Sequence, residues 1–239
     1  MKRILLFAGI LSLICLQSCI YGDWNNGISG DGNVQTEIID IDGFTGVHAS
    51  AGIDVVLSQG DFYVEVIADE NLQEVITVEL KGDILVIGSE RSIYRAESKV
   101  VNVSLPILDE LKISSAGDMD AESDFDCEDL KISISSAGDL KMGVSAESID
   151  INISSSGDCD LWGKTGDFYA SLSSAGDLNA YDLEADFVKV RVSSAGDAKV
   201  WANEEIDMGA SSAGSIYYKG DAKVTHKSTS SAGSIVHKN

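Results

Sequence analysis

Seven times between residues 114 and 234 the chain writes nearly the same five residues, Ser-Ser-Ala-Gly-Asp. The glycines of the phrase are Gly117, Gly138, Gly157, Gly176, Gly196, Gly214 and Gly233, so successive copies are almost evenly spaced. The third copy reads Ser154-Ser155-Ser156-Gly157-Asp158, and the last two end in Ser215 and Ser234. A period near 20 leaves few folds open. Such a unit is too short to enclose its own core, so it buries its apolar face against its neighbours, as in a solenoid.

Counting by twos from each glycine shows which solenoid. Four residues before it stand Ile113, Ile134, Ile153, Leu172, Val192 and Ala210. Six before it stand Leu111, Ile132, Ile151, Ala170, Val190 and Met208. Two after it come Met119, Leu140, Cys159, Leu178, Ala198, Ile216 and Ile235, and the positions between are mostly polar. Period two means strands with one face inward. A coil of about 19 residues made of strands and tight turns is a coil of an all-β, parallel β-helix, rising by one strand spacing, about 4.8 Å, per turn. The consensus of leucine-rich repeats, which share this length, is missing.

The glycine has inward parity, which predicts either φ > 0 or close packing at a narrow corner. The serine two before it has inward parity as well, which predicts a stack of hydroxyls bonding from coil to coil. In the last copy the inward columns hold Lys227 and Thr229, the polar unit needed to close an open end. Residues 107–239 are therefore read as about seven coils with a polar C-terminal cap.

Residues 34–106 read as a less regular β region. Ile53–Leu57 and Phe62–Ile67 flank Ser58-Gln59-Gly60-Asp61, and Val75–Leu80 and Ile84–Ile87 flank Lys81-Gly82-Asp83. Both read as hairpins. Val100–Leu105 is a further strand, Glu70–Gln73 a single helical turn, and Ser50-Ala51-Gly52 an early echo of the corner phrase.

The N-terminus is an address. Lys2 and Arg3 precede an apolar run, Ile4 to Leu16, of signal-peptide length, ending in Leu16-Gln17-Ser18-Cys19. This resembles the lipoprotein box of bacterial signals, which implies cleavage before Cys19 and a lipid on its thiol. Residues 1–18 are then the signal and 19–33 a Gly-, Asn- and Asp-rich tether. The expected location is the cell envelope, anchored by acyl chains, with the outer membrane favoured and the side left open.

Several features together resemble the head GIN domain family, an auto-transporter adhesin domain of unknown function. They are Phe44-Thr45-Gly46-Val47, the segment Gly52-Ile53-Asp54-Val55-Val56-Leu57-Ser58-Gln59-Gly60-Asp61, Glu70-Asn71-Leu72, Leu105-Pro106-Ile107-Leu108 and the repeated corners. The resemblance spans roughly residues 36 to 225. It implies a right-handed, single-stranded β-helix with a β-rich N-terminal part, in a bacterial envelope protein.

Charge narrows the partners. The chain carries 17 Lys+Arg against 39 Asp+Glu, a net charge of −22. That argues against nucleic acid, which needs a basic face. Asp118, Asp139, Asp158, Asp177 and Asp197 fall in one outward column, where stacking brings like charges to about 5 Å at a cost on the order of 1 kcal/mol per adjacent pair in water. Three arrangements would offset this: bonds from turn N–H groups, the lysines Lys141 and Lys199 two positions on, or Ca²⁺ held by carboxylate oxygens. Trp162 and Trp201 stand five after their glycines with outward parity, placed for a sugar, a protein partner or a second copy. Cys127 and Cys159 fall in different columns and read as small core residues rather than a disulfide. His48, His226 and His237 have no metal-ligand spacing. No catalytic residue and no required cofactor are identified.

The expectation is a lipid-anchored, adhesin-like β-helix used for adhesion or scaffolding, with an unknown protein or glycan ligand and homo-oligomerisation left open. The alternatives are a periplasm-facing structural or sensor-associated protein and, at a distance, a protein that binds or cleaves polysaccharide.

Overall fold

The structure, a computed structural model, describes residues 27–238. The signal, Cys19, Trp24 and most of the expected tether lie outside the described residues. The remainder is a parallel β-solenoid, built where period-two alternation meets the longer repeat of the corner phrase.

In the regular part the strands are β10 (Glu110–Ile113), β11 (Asp118–Ala121), β12 (Phe125–Ile134), β13 (Asp139–Ile153), β14 (Asp158–Leu172), β15 (Asp177–Val192), β16 (Asp197–Ala210), β17 (Ser215–Lys219), β18 (Lys223–Thr229) and β19 (Ser234–His237). Each pairs in parallel with the equivalent strand one coil on, so Ile113, Ile134, Ile153, Leu172, Val192, Ala210 and Thr229 stack in one column. The aliphatic members of the inward columns are buried, except Ile235 in the last coil, which is half-buried. Each fully buried Leu, Ile or Val contributes about 1.5–3 kcal/mol.

The corner phrase makes a turn, and parity alone misplaces its residues. The second Ser and the Ala both take left-handed backbone, with φ of 56° at Ser136 and 60° at Ala137, repeated through Ser231 and Ala232. The Gly138 N–H bonds to the Ser135 carbonyl at 3.3 Å, closing a type I′ geometry. Two left-handed residues in a row swing the turn outward, so the serines expected inside, from Ser115 to Ser231, are exposed, and the inward count resumes at the buried glycine. The predicted inward hydroxyl stack does not form. The corners are joined by backbone instead: Ala137 N–H donates to Ser155 O at 3.1 Å, and Ala175 N–H to Ser194 O at 3.1 Å. The corner glycines themselves have no left-handed φ. They are glycine for want of space, because a Cβ at Gly157 would lie 2.6 Å from Ile134 Cγ2.

Residues 27–106 contain β1 (Ile28–Ser29), β2 (Val34–Ile39), β3 (Gly46–Ala49), β4 (Asp54–Gln59), β5 (Tyr63–Asp69), α1 (Glu70–Gln73), β6 (Ile76–Lys81), β7 (Ile84–Ser89), β8 (Ile93–Arg95) and β9 (Lys99–Leu105). Four of these strands belong to the solenoid, but not in sequence order. β3 pairs in parallel with β7 on one side and β10 on the other, and β4 likewise with β9 and β11. The coil formed by residues 46–59 is thus clasped between a later coil, 84–105, and the first regular one. The core columns run straight through it, as in Leu85–Val47–Leu111 and Val101–Val55–Met119. Its corner, Ser50 to Ile53, has φ of 62° at Ala51 and 66° at Gly52, so the early echo of the phrase is a true corner.

Beyond the 84–105 coil the end is closed by antiparallel strands, β6 on β7, and β5 then β2 beside β9. The hairpin across Lys81-Gly82-Asp83 forms. The one expected across residues 58–61 does not. β9 lies between β4 and β5, because both apolar edges find a better partner in that strand than in each other. The tether, expected to reach residue 33, is already held at Ile28, where β1 pairs with β8.

Candidate binding surface

The aspartate column is real and in register: Asp118, Asp139, Asp158, Asp177 and Asp197 are successive Cα partners. Burial at the corner raises the pKa of Asp139 and Asp158, and the neighbouring carboxylates raise it further. Partial relief comes from backbone and from lysine. Asp197 N–H donates to Asp177 Oδ1 at 3.1 Å, the Asp158 N–H bonds Asp139, and Lys141 favours the Asp139 carboxylate. Among the described residues no three His, Cys, Asp or Glu side chains converge on a point that could hold a metal ion.

The aromatics divide. Trp162 is 39% exposed, and its Nε1–H donates to Asp124 Oδ1 at 3.2 Å across Gly143, where any Cβ would obstruct the pair. Trp201 is half-buried beneath Lys219, whose Nζ sits 4.2 Å from its ring centroid and 5.3 Å from that of Tyr181. Lys238 Nζ lies 5.3 Å over the Tyr217 ring. Tyr181 reaches this group because β15 bulges between Ala180 and Glu184. The two tryptophans are therefore not one surface: Trp162 is tied to the middle coils, and Trp201 to a lysine-bearing group at the C-terminal end. The signal of the bulge in the sequence is a longer repeat, since Gly176 and Gly196 stand further apart than Gly157 and Gly176.

Cys127 and Cys159 are both free thiols. Cys159 is buried in the core column with Leu140 and Leu178, and desolvation pushes its pKa well up. Cys127 is pushed up to about 12, by burial first and then by Asp109 and Asp126. It borders a shallow acidic hollow of about 670 Å³ with Asp109, Asp126, Glu128 and Glu147. A thiol so disfavoured as thiolate is a poor nucleophile. Among the histidines, His48 Nε2 meets Glu110 Oε1 at 2.7 Å, and His237 stacks on Tyr218 with centroids 4.6 Å apart.

Sequence reasoning missed Asp69. It is fully buried, and its carboxylate accepts N–H bonds from Gly32, Glu97 and Ser98, each at 3.2 Å. Desolvation alone would raise its pKa, but the three backbone donors prevail and lower it. Asp69 therefore ties its own strand to two other segments at the N-terminal end. Its signature was a polar residue at the end of an apolar alternation, where Ala68 and Asp69 are both buried.

The comparisons agree with this architecture. No curated protein matches the chain. Solved structures of similar shape include a "putative adhesin" from Bacteroides fragilis, with TM-score 0.82 and 20% identity over 89% of this chain and 100% of that one. One of the same description from Parabacteroides merdae gives TM-score 0.74 and 20% identity, covering 90% and 100%. A protein from Parabacteroides distasonis described as lipid-binding gives 0.75 and 21%, covering 89% and 100%. At such identities they establish the fold. The family described as "Putative auto-transporter adhesin, head GIN domain" matches residues 43–222, and the chain belongs to that family.

Proposed function

We propose that the protein is a lipid-anchored adhesin-like rod of the bacterial envelope, acting by binding rather than by catalysis. The observation that carries this reading is the unbroken ladder from β6 and β2 to β18 and β19, a rigid spacer whose faces are set by repetition. Its buried polar side chains are structural: Asp69 serves backbone N–H groups, and Thr165 Oγ1 donates to Asp167 O at 3.0 Å. The family description supports adhesion, and the box ending in Cys19 supports an anchor at the N-terminal end.

The test has two arms on intact cells. Protease shaving, followed with an antibody to the coils, should cleave the protein without lysis, and deletion of the gene should reduce attachment to mucin-coated surfaces. Protection until lysis would end the adhesion reading in favour of a periplasmic scaffold. Cys19→Ser should release the protein from membranes; retention would remove the anchor.

A further inference from the structure

The body of the rod is acidic, yet its last coil is not: residues 217–238 hold four lysines against one aspartate, Asp221. Two of the lysines guard an edge. Lys223 lies on β18, the exposed terminal strand, and Lys227 reaches across the open core to the Ile235 carbonyl at 3.3 Å. The other two, with Lys199, do not. Lys199 and Tyr217 are adjacent partners on the outward face, as are Trp201 and Lys219. Lys219 is held between Tyr181 and Trp201, and Lys238 over Tyr217.

We propose that this outward face of the last four coils, Lys199, Lys219 and Lys238 set among Tyr181, Trp201 and Tyr217, binds an anionic polysaccharide. Three observations converge on that ligand. The lysines come from three successive coils of one face, Lys199 beside Tyr217 and Lys219 beside Trp201 in the ladder with Lys238 over Tyr217, an arrangement that follows the rod and suits a linear polyanion. The rings hold two of the ammoniums in place, so little side-chain entropy remains to be lost on binding. Lastly, Asp182, 3.9 Å from Lys219, and the aspartates Asp158, Asp160, Asp177 and Asp197 that line a hollow with Lys199 offset much of the positive charge. That suits a sparsely charged sugar chain better than a nucleic acid, whose charge density would be repelled by the acidic coils below. The inference rests on the adhesion reading and names its ligand class.

The experiment uses the full chain purified in detergent and immobilised on a sensor. The probes are polygalacturonate, heparin, neutral dextran, polyglutamate and an oligo-dT strand, each at low and at physiological salt. The two polysaccharide anions should bind most tightly, weaken with salt, and lose about tenfold on Lys219→Met with Lys238→Met. The control pair Lys112→Met with Lys131→Met removes the same charge elsewhere and should leave binding unchanged. Equal binding of dextran, preference for oligo-dT or polyglutamate, equal loss in the control pair, or an unaffected tip variant would each overturn the proposal. So would no binding of either anion. Attachment of cells carrying the tip variant separates the two readings. If they attach as well as unaltered cells, the polysaccharide face falls and adhesion stands. If unaltered cells do not attach, the adhesion reading falls whatever the sensor shows.

Discussion

The regular coils and the N-terminal coils share one core and one strand direction but not one logic of assembly. Every coil from β12 onward stacks on the coil just before it in sequence, so each residue meets its equivalent a single repeat away. The 46–59 coil instead lies between two strands that both come much later in the chain, as Val47 with Leu85 and Leu111 shows. Local stacking can propagate one unit at a time. A clasped coil cannot form until the chain on both sides of it is in place, which costs loop-closure entropy before any contact repays it. Repetition makes the first part tolerant, and threading makes the second part all-or-none.

The largest effect expected from that difference is in whole-coil deletions. Removing residues 158–176 joins Gly157 to Asp177 in unchanged register and should leave a shorter, folded rod. Removing residues 84–105 should abolish folding, because β3 and β4 then lose a partner each. Circular dichroism and protease resistance distinguish the outcomes, and a folded 84–105 deletion would break the comparison. Next in size is Gly117→Ala, whose new Cβ would lie 2.7 Å from the Ile53 carbonyl oxygen, a backbone atom that cannot swing aside. It should cost about 3 kcal/mol in urea unfolding, against about 1–2 kcal/mol for Gly157→Ala, where the tightest contact is the Ile134 side chain and the nearest backbone atom, Gly138 O, is 3.3 Å away.

Acid should act in opposite directions on the corner aspartates and on the carboxylates held by hydrogen-bond donors. Asp139 and Asp158 have raised pKa values, so the folded state binds their protons first, and stability there rises as pH falls through those values. Asp69 has a lowered pKa, so its contribution is present above the unfolded value near 3.9 and is lost as pH falls through the folded one. Asp207, paired with Arg191 at 2.8 Å, behaves like Asp69. Melting followed from pH 7 downward should therefore pass through a maximum. Hydrogen exchange below it should show residues 30–33 and 96–98 opening before the coil corners. The reverse order would overturn the assignment of Asp69 as the acid-sensitive pin. The smallest effect expected is Asp158→Asn, a gain of up to about 1 kcal/mol at low salt that shrinks as salt rises.

The coils were legible because each inward residue is repeated at the same offset, so Ile113, Ile134 and Ile153 confirm one another. Their corners were legible as corners, but parity counted straight through Ser136-Ala137 and put the serine inside. The αL pair turns both residues outward before the inward count resumes at Gly138, and nothing in the composition says so, since Ser and Ala are not the usual residues for that backbone. The order of coils at the N-terminal end could not be read at all. Strand alternation in Val64–Ala68 and Val101–Leu105 declares a buried face but not a neighbour, and only the packing of β9 between β4 and β5 decides it. The same holds for the binding face: Trp201 could be placed outward from its offset, whereas the arrival of Tyr181 beside Lys219 depends on a bulge in the adjacent coil.

The clasped coil also has a mechanical meaning. If the rod is pulled between its N-terminal end and its tip, β18 and β19 have neighbours on one side only and peel first. Each regular coil that follows frees about 19 residues, or roughly 65 Å of chain at about 3.4 Å per residue. At the other end β2 can peel from β5, but the next segment, β3 and β4, is gripped on both sides and must be dragged out in shear. Extension is thus taken up at the C-terminal end, in equal lengths, while the stitch nearest the N-terminus holds until last.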